Sequence, residues 1–208
     1  MAGAQTSILS PAGHPIGTNV KTQDGTISLI ASDGSRWPYT SAGAFLSYGF
    51  NGWNNVVDAN SADLALPIGS YIPPQDGKIF CATETKGSDV KGECALISGG
   101  LKHSFTSENV FKGLGFSFSR AISGDSSFLA KGANVDSGSA AHLPGVLVNN
   151  GGIVQLVGST GLLNIKDMAA FGSWGYSPVD AVAANAADKA LSQAGSISVR
   201  QAGQLSPQ

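Results

Sequence analysis

The chain has 208 residues, of which 42% are hydrophobic and 12% charged, with a formal net charge of −2. That apolar share supports a buried core and excludes a disordered chain. Without a basic stripe there is little to hold a phosphate backbone, so no nucleic acid partner is expected. The apolar runs fall far short of the ~20 residues of a membrane span. Low charge and 28 glycines fit a loop-rich, β-containing protein of the secreted or cell-surface kind.

The opening MAGAQTSILSPAG has no cationic start and no long apolar stretch, so it does not read as a secretory signal. Residues 1–16, with His14, read as an N-terminal tail. A first unit is expected over 17–68. GTNVKTQDGTISLI (17–30) opens on Gly and passes the tight-turn dipeptide Asp24-Gly25. It continues as an alternating strand with Ile27 and Leu29 on one face. A polar turn at Ser32-Asp33-Gly34 precedes a short strand carrying Trp37 and Tyr39. YTSAGAFLSYGF (39–50) then reads as a short helix. Ser41 stands at the N-cap, Phe45 and Tyr48 share a face, and Gly49 supplies a left-handed terminator. Val56-Val57 forms an apolar patch, and Asn60 to Asp63 caps a second helical turn carrying Leu64 and Leu66.

The same order returns over 69–131. GSYIPPQDGKIFCA (69–82) has its turn at Asp76-Gly77 and a strand with Ile79 and Cys81. Leu101, His103 and Phe105 follow, then the helix of FTSENVFKGLGF (105–116) with Ser107, Phe111 and Gly115. This copy is longer by an insertion in CATETKGSDVKGECALISGG (81–100), which holds both cysteines of the chain, Cys81 and Cys94. A disulfide closing that loop is predicted, which implies an oxidising compartment. Residues 132–144 (GANVDSGSAAHLP), with His142, read as a linker or surface loop. A third unit is expected over 145–200, with a turn at Gly151-Gly152 and a strand at Val154 and Leu156. The helix of IKDMAAFGSWGY (165–176) carries Asp167, Phe171, Trp174 and Gly175. Residues 201–208 read as a C-terminal tail. The fold class expected is α+β: three tandem small units, each an antiparallel hairpin or meander with one or two short helices. Each is too small to bury its core well alone.

Little in the sequence points to catalysis. His14, His103 and His142 have no second ligand at metal spacing, so no metal or other cofactor is expected. No G-x-S-x-G elbow, phosphate loop or dinucleotide fingerprint occurs. Asp58, Asn60 and Asp63 lack the Gly and terminal Glu of a calcium loop and are better explained as a helix cap. The residues left over are aromatic. Trp53, Trp37 and Tyr71 are the weak ligand-binding candidates. Trp53, in FNGWNN, lies in a turn-like polar setting and has no aromatic at its place in the other copies. It reads either as a ring for stacking on a sugar or anchoring a partner, or as a ring folded over a unit junction.

Gly-x-x-Val, a turn, a strand of the GTISLI type, a basic–aromatic strand and Ser-x-x-x-Phe-x-x-x-Gly-aromatic, as in SRWPYTSAGAFLSYGF, resemble tandem repeat modules of uncharacterised secreted and cell-surface bacterial proteins. The resemblance covers roughly residues 17–200. Lys102-His103 replaces Arg36-Trp37 in the second copy, and Leu163-Asn164 lacks the basic residue in the third. It implies an extracellular or cell-surface accessory module and brings no catalytic residues. The expected function is therefore non-enzymatic: a binding or structural and assembly module. A cell-surface glycan or protein, or self-association, supplies the partner. Two alternatives stand beside it, a carbohydrate-binding β-trefoil-like lectin module and a cell-wall hydrolase.

Overall fold

Alternating apolar residues between tight turns pair as a meander. The computed structural model describes residues 12–50 and 52–207. Its first sheet begins with β1 (Asn19–Lys21), β2 (Ile27–Ile30) and β3 (Arg36–Pro38), joined antiparallel with Asn19 opposite Leu29 and Leu29 opposite Trp37. The chain then enters α1 (Ala42–Ser47), makes a 3-10 turn at Gly52–Asn55 and returns as β4 (Val56–Asp58). β4 pairs parallel to β1. Parallel neighbours need a crossover connection, and α1 is that crossover. After α2 (Ser61–Ala65) the chain reaches the far edge, where Ile68 and Ile72 bridge parallel to Arg36 and Tyr39.

This plan recurs twice. The second sheet has β5 (Ile79–Ala82), β6 (Cys94–Ser98) and β7 (Leu101–Ser104), then α3 (Glu108–Gly113) and β8 (Ile122–Gly124) parallel to β5. The third has β9 (Leu147–Asn150), β10 (Ile153–Val157) and β11 (Leu162–Ile165), then α4 (Met168–Ser173) and β12 (Val182–Ala183) parallel to β9. Beyond α5 (Ala186–Lys189), β13 (Gln193–Ile197) completes the far edge parallel to β11. In the second sheet that edge consists of bridges from Lys131 and Val135 to Lys102 and Phe105. The protein is thus α+β, built as three small units with mixed sheets. Parallel pairs and helical crossovers in every unit exclude the β-trefoil alternative, whose strands form antiparallel hairpins.

Register corrects the reading of the second unit. Ile79 pairs with Leu96 as Asn19 pairs with Leu29, so Ile79–Ala82 is the first strand of its sheet, not the second. Gly77 thereby takes the place of Gly17, and the counterpart of the Asp24-Gly25 turn is the loop 83–93. Matching dipeptides by type had set this copy one strand out of step. Flanking segments also enter the units: His14 is bonded to Asp63, Val135 bridges Phe105, and His142 is bonded to Asp188.

The crossover helices have only six residues each and need capping and burial. Ser41, Ser107 and Asp167 accept from Ala44, Val110 and Ala170 N–H at 3.0, 3.2 and 2.7 Å. Phe45, Phe111 and Phe171 are buried beneath them. Gly49 and Gly175 end α1 and α4 with φ of 63° and 70°. They also meet backbone to backbone, and a Cβ on either would strike the other's segment. This contact joins the first unit to the third. Gly43 of α1 sits on Phe80 of the second sheet, and Phe111 shares one apolar cluster with Val148 and Val182 of the third. Near the C-terminus, the Arg200 guanidinium lies 4.6 Å from the Phe50 ring centre and 5.8 Å from that of Trp174.

Buried carboxylates close the units. Asp63 and Asp188, each the third residue of a capping box begun by Asn60 or Asn185, are fully buried. Asp188 accepts the backbone N–H of His142 at 2.8 Å, and its other oxygen lies 2.8 Å from His142 Nδ1. His142 Nε2 lies 2.8 Å from the Leu114 carbonyl oxygen at the end of α3. In the second unit the loop residue Asp89 is buried against Lys102 and accepts from Ser126 N–H at 2.9 Å. Removing one partner of such a group leaves the others desolvated and unpaired. Asp188→Ala is therefore expected to cost about 3 kcal/mol or more in urea unfolding, well above the cost of a surface substitution such as Asp136→Ala.

Cys81 and Cys94 face each other across β5 and β6 and form the expected disulfide, 13 residues apart. Closing a loop of this size contributes about 3 kcal/mol. Cys81→Ser/Cys94→Ser is expected to lose stability of that order in a urea melt, and the native chain to show no alkylated thiol until reduced.

Candidate functional site

The turn of the first hairpin, the N-terminus of α1 and the 3-10 turn after it converge on one side of the first sheet. They enclose a cleft of about 280 Å³. β2 contributes Ile27 to it, the end of β3 contributes Tyr39, and α1 contributes Phe45. Asp24, Thr26 and Ser41 supply polar groups, and Trp53 forms one wall. Its indole stacks on Phe45 with ring centres 5.2 Å apart and an interplanar angle of 20°. Phe45 is fully buried while Trp53 is 53% exposed, so the buried ring fixes the plane of the exposed one.

The electrostatics are simple. Asp24 accepts from the Thr22 hydroxyl and, at 3.0 Å, from Thr26 N–H. The Thr22 hydroxyl first, and the Thr26 backbone next, hold its carboxyl below the usual range, so it is ionised. Burial pushes the Tyr39 phenol far up, and its hydroxyl donates to Asn19 Oδ1 at 2.9 Å. Among the described residues, no Lys, Arg or His lines the cleft. It offers an aromatic face, neutral hydroxyls and one carboxylate.

The structure does not bring the three aromatic candidates together. Trp37 is half-buried and serves the fold: its Nε1–H donates to Ser35 Oγ at 2.8 Å and Asp33 Oδ2 at 3.1 Å. Gly69 lies against its ring, where a Cβ would clash. Tyr71 is 65% exposed beside the edge bridge of Ile72, outside the cleft. Only Trp53 stands in a built site.

Trp53 has an aromatic counterpart that direct alignment missed. Phe118, four residues before Ile122 as Trp53 is four before Val57, stacks on Phe111 at 4.4 Å and 17°. One extra residue in the first unit, between Phe50 and Trp53, displaces the alignment. In the third unit Pro178 takes this place, in a cleft of about 340 Å³ with Phe171, Ile153, Met168 and Asp167. Two of its lining residues, Ile153 and Met168, are mostly exposed, as is Val179, next to Pro178 in the chain. The histidines are engaged elsewhere: His103 Nδ1 and Nε2 lie 2.7 and 3.3 Å from the carbonyl oxygens of Ala133 and Ser98. Among the described residues, no three His, Cys, Asp or Glu side chains are grouped to hold a metal ion, and no helix is long and apolar enough to cross a membrane.

No protein-family model matches the chain, and no curated protein matches it. Among solved structures, it is similar to a chain of the periplasmic assembly from the ESX-5 inner membrane complex, at 16% identity and a TM-score of 0.21. That match covers 86% of this chain and 60% of the other. A chain of an intact ESX-5 inner membrane complex gives 14% identity and a TM-score of 0.21, covering 93% and 54%. The protein thus spans little more than half the length of the chains it matches. Likeness at this TM-score is too slight to bear on fold or function.

Trp174 is buried and Trp37 half-buried, so Trp53 is the accessible indole. Trp53→Ala is expected to keep the native circular dichroism, to lose about 1 kcal/mol of stacking, and to lose most of the iodide-quenchable fluorescence. Unchanged quenching would place the accessible indole elsewhere.

Proposed function

We propose that this chain is a non-enzymatic recognition module working outside the cytoplasm, at the cell surface or beyond it, and that it holds its ligand in the Trp53 cleft. The observation that carries this reading is an exposed indole fixed in plane by a fully buried phenylalanine. An aromatic held this way offers contact area at little entropic cost, which is why such rings dominate binding surfaces. The Cys81–Cys94 disulfide supports an oxidising compartment. Resemblance to bacterial surface modules supports the same location.

A second reading, assembly through a protein partner or a second copy, is favoured by the apolar rim of the third-unit cleft. Ile153 and Met168 on that rim, and Val179 next to Pro178 in the chain, are all more than 60% exposed. Their counterparts in the first unit are Thr26, Ala42 and Asn54. An apolar rim at one of three equivalent places fits a protein contact better than chance scatter.

Binding of the oxidised protein to isolated bacterial envelopes and insoluble cell-wall material distinguishes the two. The recognition reading expects saturable binding that Trp53→Ala abolishes and Met168→Ser leaves intact. Envelope binding that survives Trp53→Ala but is lost in Met168→Ser would favour assembly.

A further inference from the structure

We infer that the Trp53 cleft takes a single uncharged pyranose ring of a glycan, a ligand class that rests on the recognition reading above. The chemistry of the walls selects it. A pyranose has an apolar C–H face and a polar rim of hydroxyls. Its C–H bonds present a weakly positive surface to the negative face of an aromatic ring. The indole of Trp53, lying on Phe45, is such a face, half in solvent and unable to tilt without breaking its stack.

The polar groups stand beside it. Asp24 is an ionised acceptor at the rim, and Ser41 and Thr26 supply hydroxyls. A carboxylate that accepts from sugar hydroxyls is a strong partner, because hydrogen bonds to charged groups exceed neutral ones. The same carboxylate, with no lining cation to offset it, repels uronic acids, phosphorylated polymers and other anionic sugars. Charge therefore disfavours anionic sugars and leaves uncharged hexoses, N-acetylated ones included, within the class.

Size narrows it again. A volume of about 280 Å³ stands at the lower edge of the range for small-molecule pockets. One ring fits, with the rest of the chain running out into solvent.

The other two units act as internal controls. The residues equivalent to Thr26 and Ala42 are Glu93 and Glu108 in the second unit, carboxylates in place of a hydroxyl and a methyl, with Glu108 paired to Lys112 at 2.6 Å. In the third unit they are Ile153 and Met168, with Pro178 in place of the aromatic. Only the first unit combines a stacked indole with a neutral hydroxyl rim, so one binding site per chain is expected.

The test is a titration of the oxidised full chain, followed by Trp fluorescence and iodide quenching. The probes are chitohexaose and cellohexaose, both neutral, and an oligogalacturonate of the same length. At least one neutral oligomer should bind with a stoichiometry of one and shield Trp53 from iodide. Trp53→Ala should weaken that binding at least tenfold, Trp53→Phe less, and Asp24→Asn several-fold. The oligogalacturonate should bind wild type at least tenfold more weakly. A neutral oligomer that binds Trp53→Ala as tightly as wild type would overturn the site. Equal or tighter binding of the oligogalacturonate would overturn the charge selection. If envelope material binds through Trp53 but no neutral oligomer does, the sugar class is wrong and the recognition reading stands. If nothing binds, both fall together.

Discussion

A six-residue helix cannot sustain itself in water, and this protein depends on three of them. Each survives because one phenylalanine on its inner face is buried in the sheet it crosses. That burial fixes the crossover, and the crossover brings the fourth strand parallel to the first. The cleft also follows from it: Phe45 docks α1, and its ring is the surface on which Trp53 lies. Remove the phenylalanine and the strand order, the helix and the cleft wall lose the same support.

Buried carboxylates do the corresponding work on the return path. Asp63 and Asp188 each satisfy the start of a helix and hold a histidine that precedes the first strand. A charge without water must be fully hydrogen-bonded, so these groups demand a definite geometry from segments far apart in sequence. The second unit reaches the same end differently. Its cysteine-closed loop delivers Asp89 to Lys102 and Ser126. A buried, hydrogen-bonded carboxylate thus recurs in every unit, supplied in the second from a different place in the chain.

The three clefts show how one plan diverges. The backbone places a residue above the central phenylalanine in every unit: Trp53, Phe118 and Pro178. None of the three is needed for the helix below, because the cap, the phenylalanine and the terminal glycine already hold it. These outer positions differ among the units, and they carry three different surface chemistries.

Local signals made much of this legible in the sequence. Ser41, Ser107 and Asp167 announce helix starts, the phenylalanines four residues on announce the buried face, and Gly49, Gly115 and Gly175 announce the stops. The pairing of Cys81 with Cys94 followed from an insertion bounded by the chain's two cysteines. Trp53 stood out because nothing local required it. These features are readable because they depend on neighbours within one or two turns of chain. Tertiary structure decided the rest. The register of the second sheet is set by which strand Ile79 faces, not by the Asp76-Gly77 dipeptide before it. The roles of His14 and His142 depend on carboxylates 49 and 46 residues away. Trp37 and Tyr71 looked like companions of Trp53 by residue type, yet strand pairing sends one into a hydrogen-bonded turn and the other to a distant edge. Sequence determined the unit and its aromatic; only the packing of strands against helices determined which aromatic faces an open cleft.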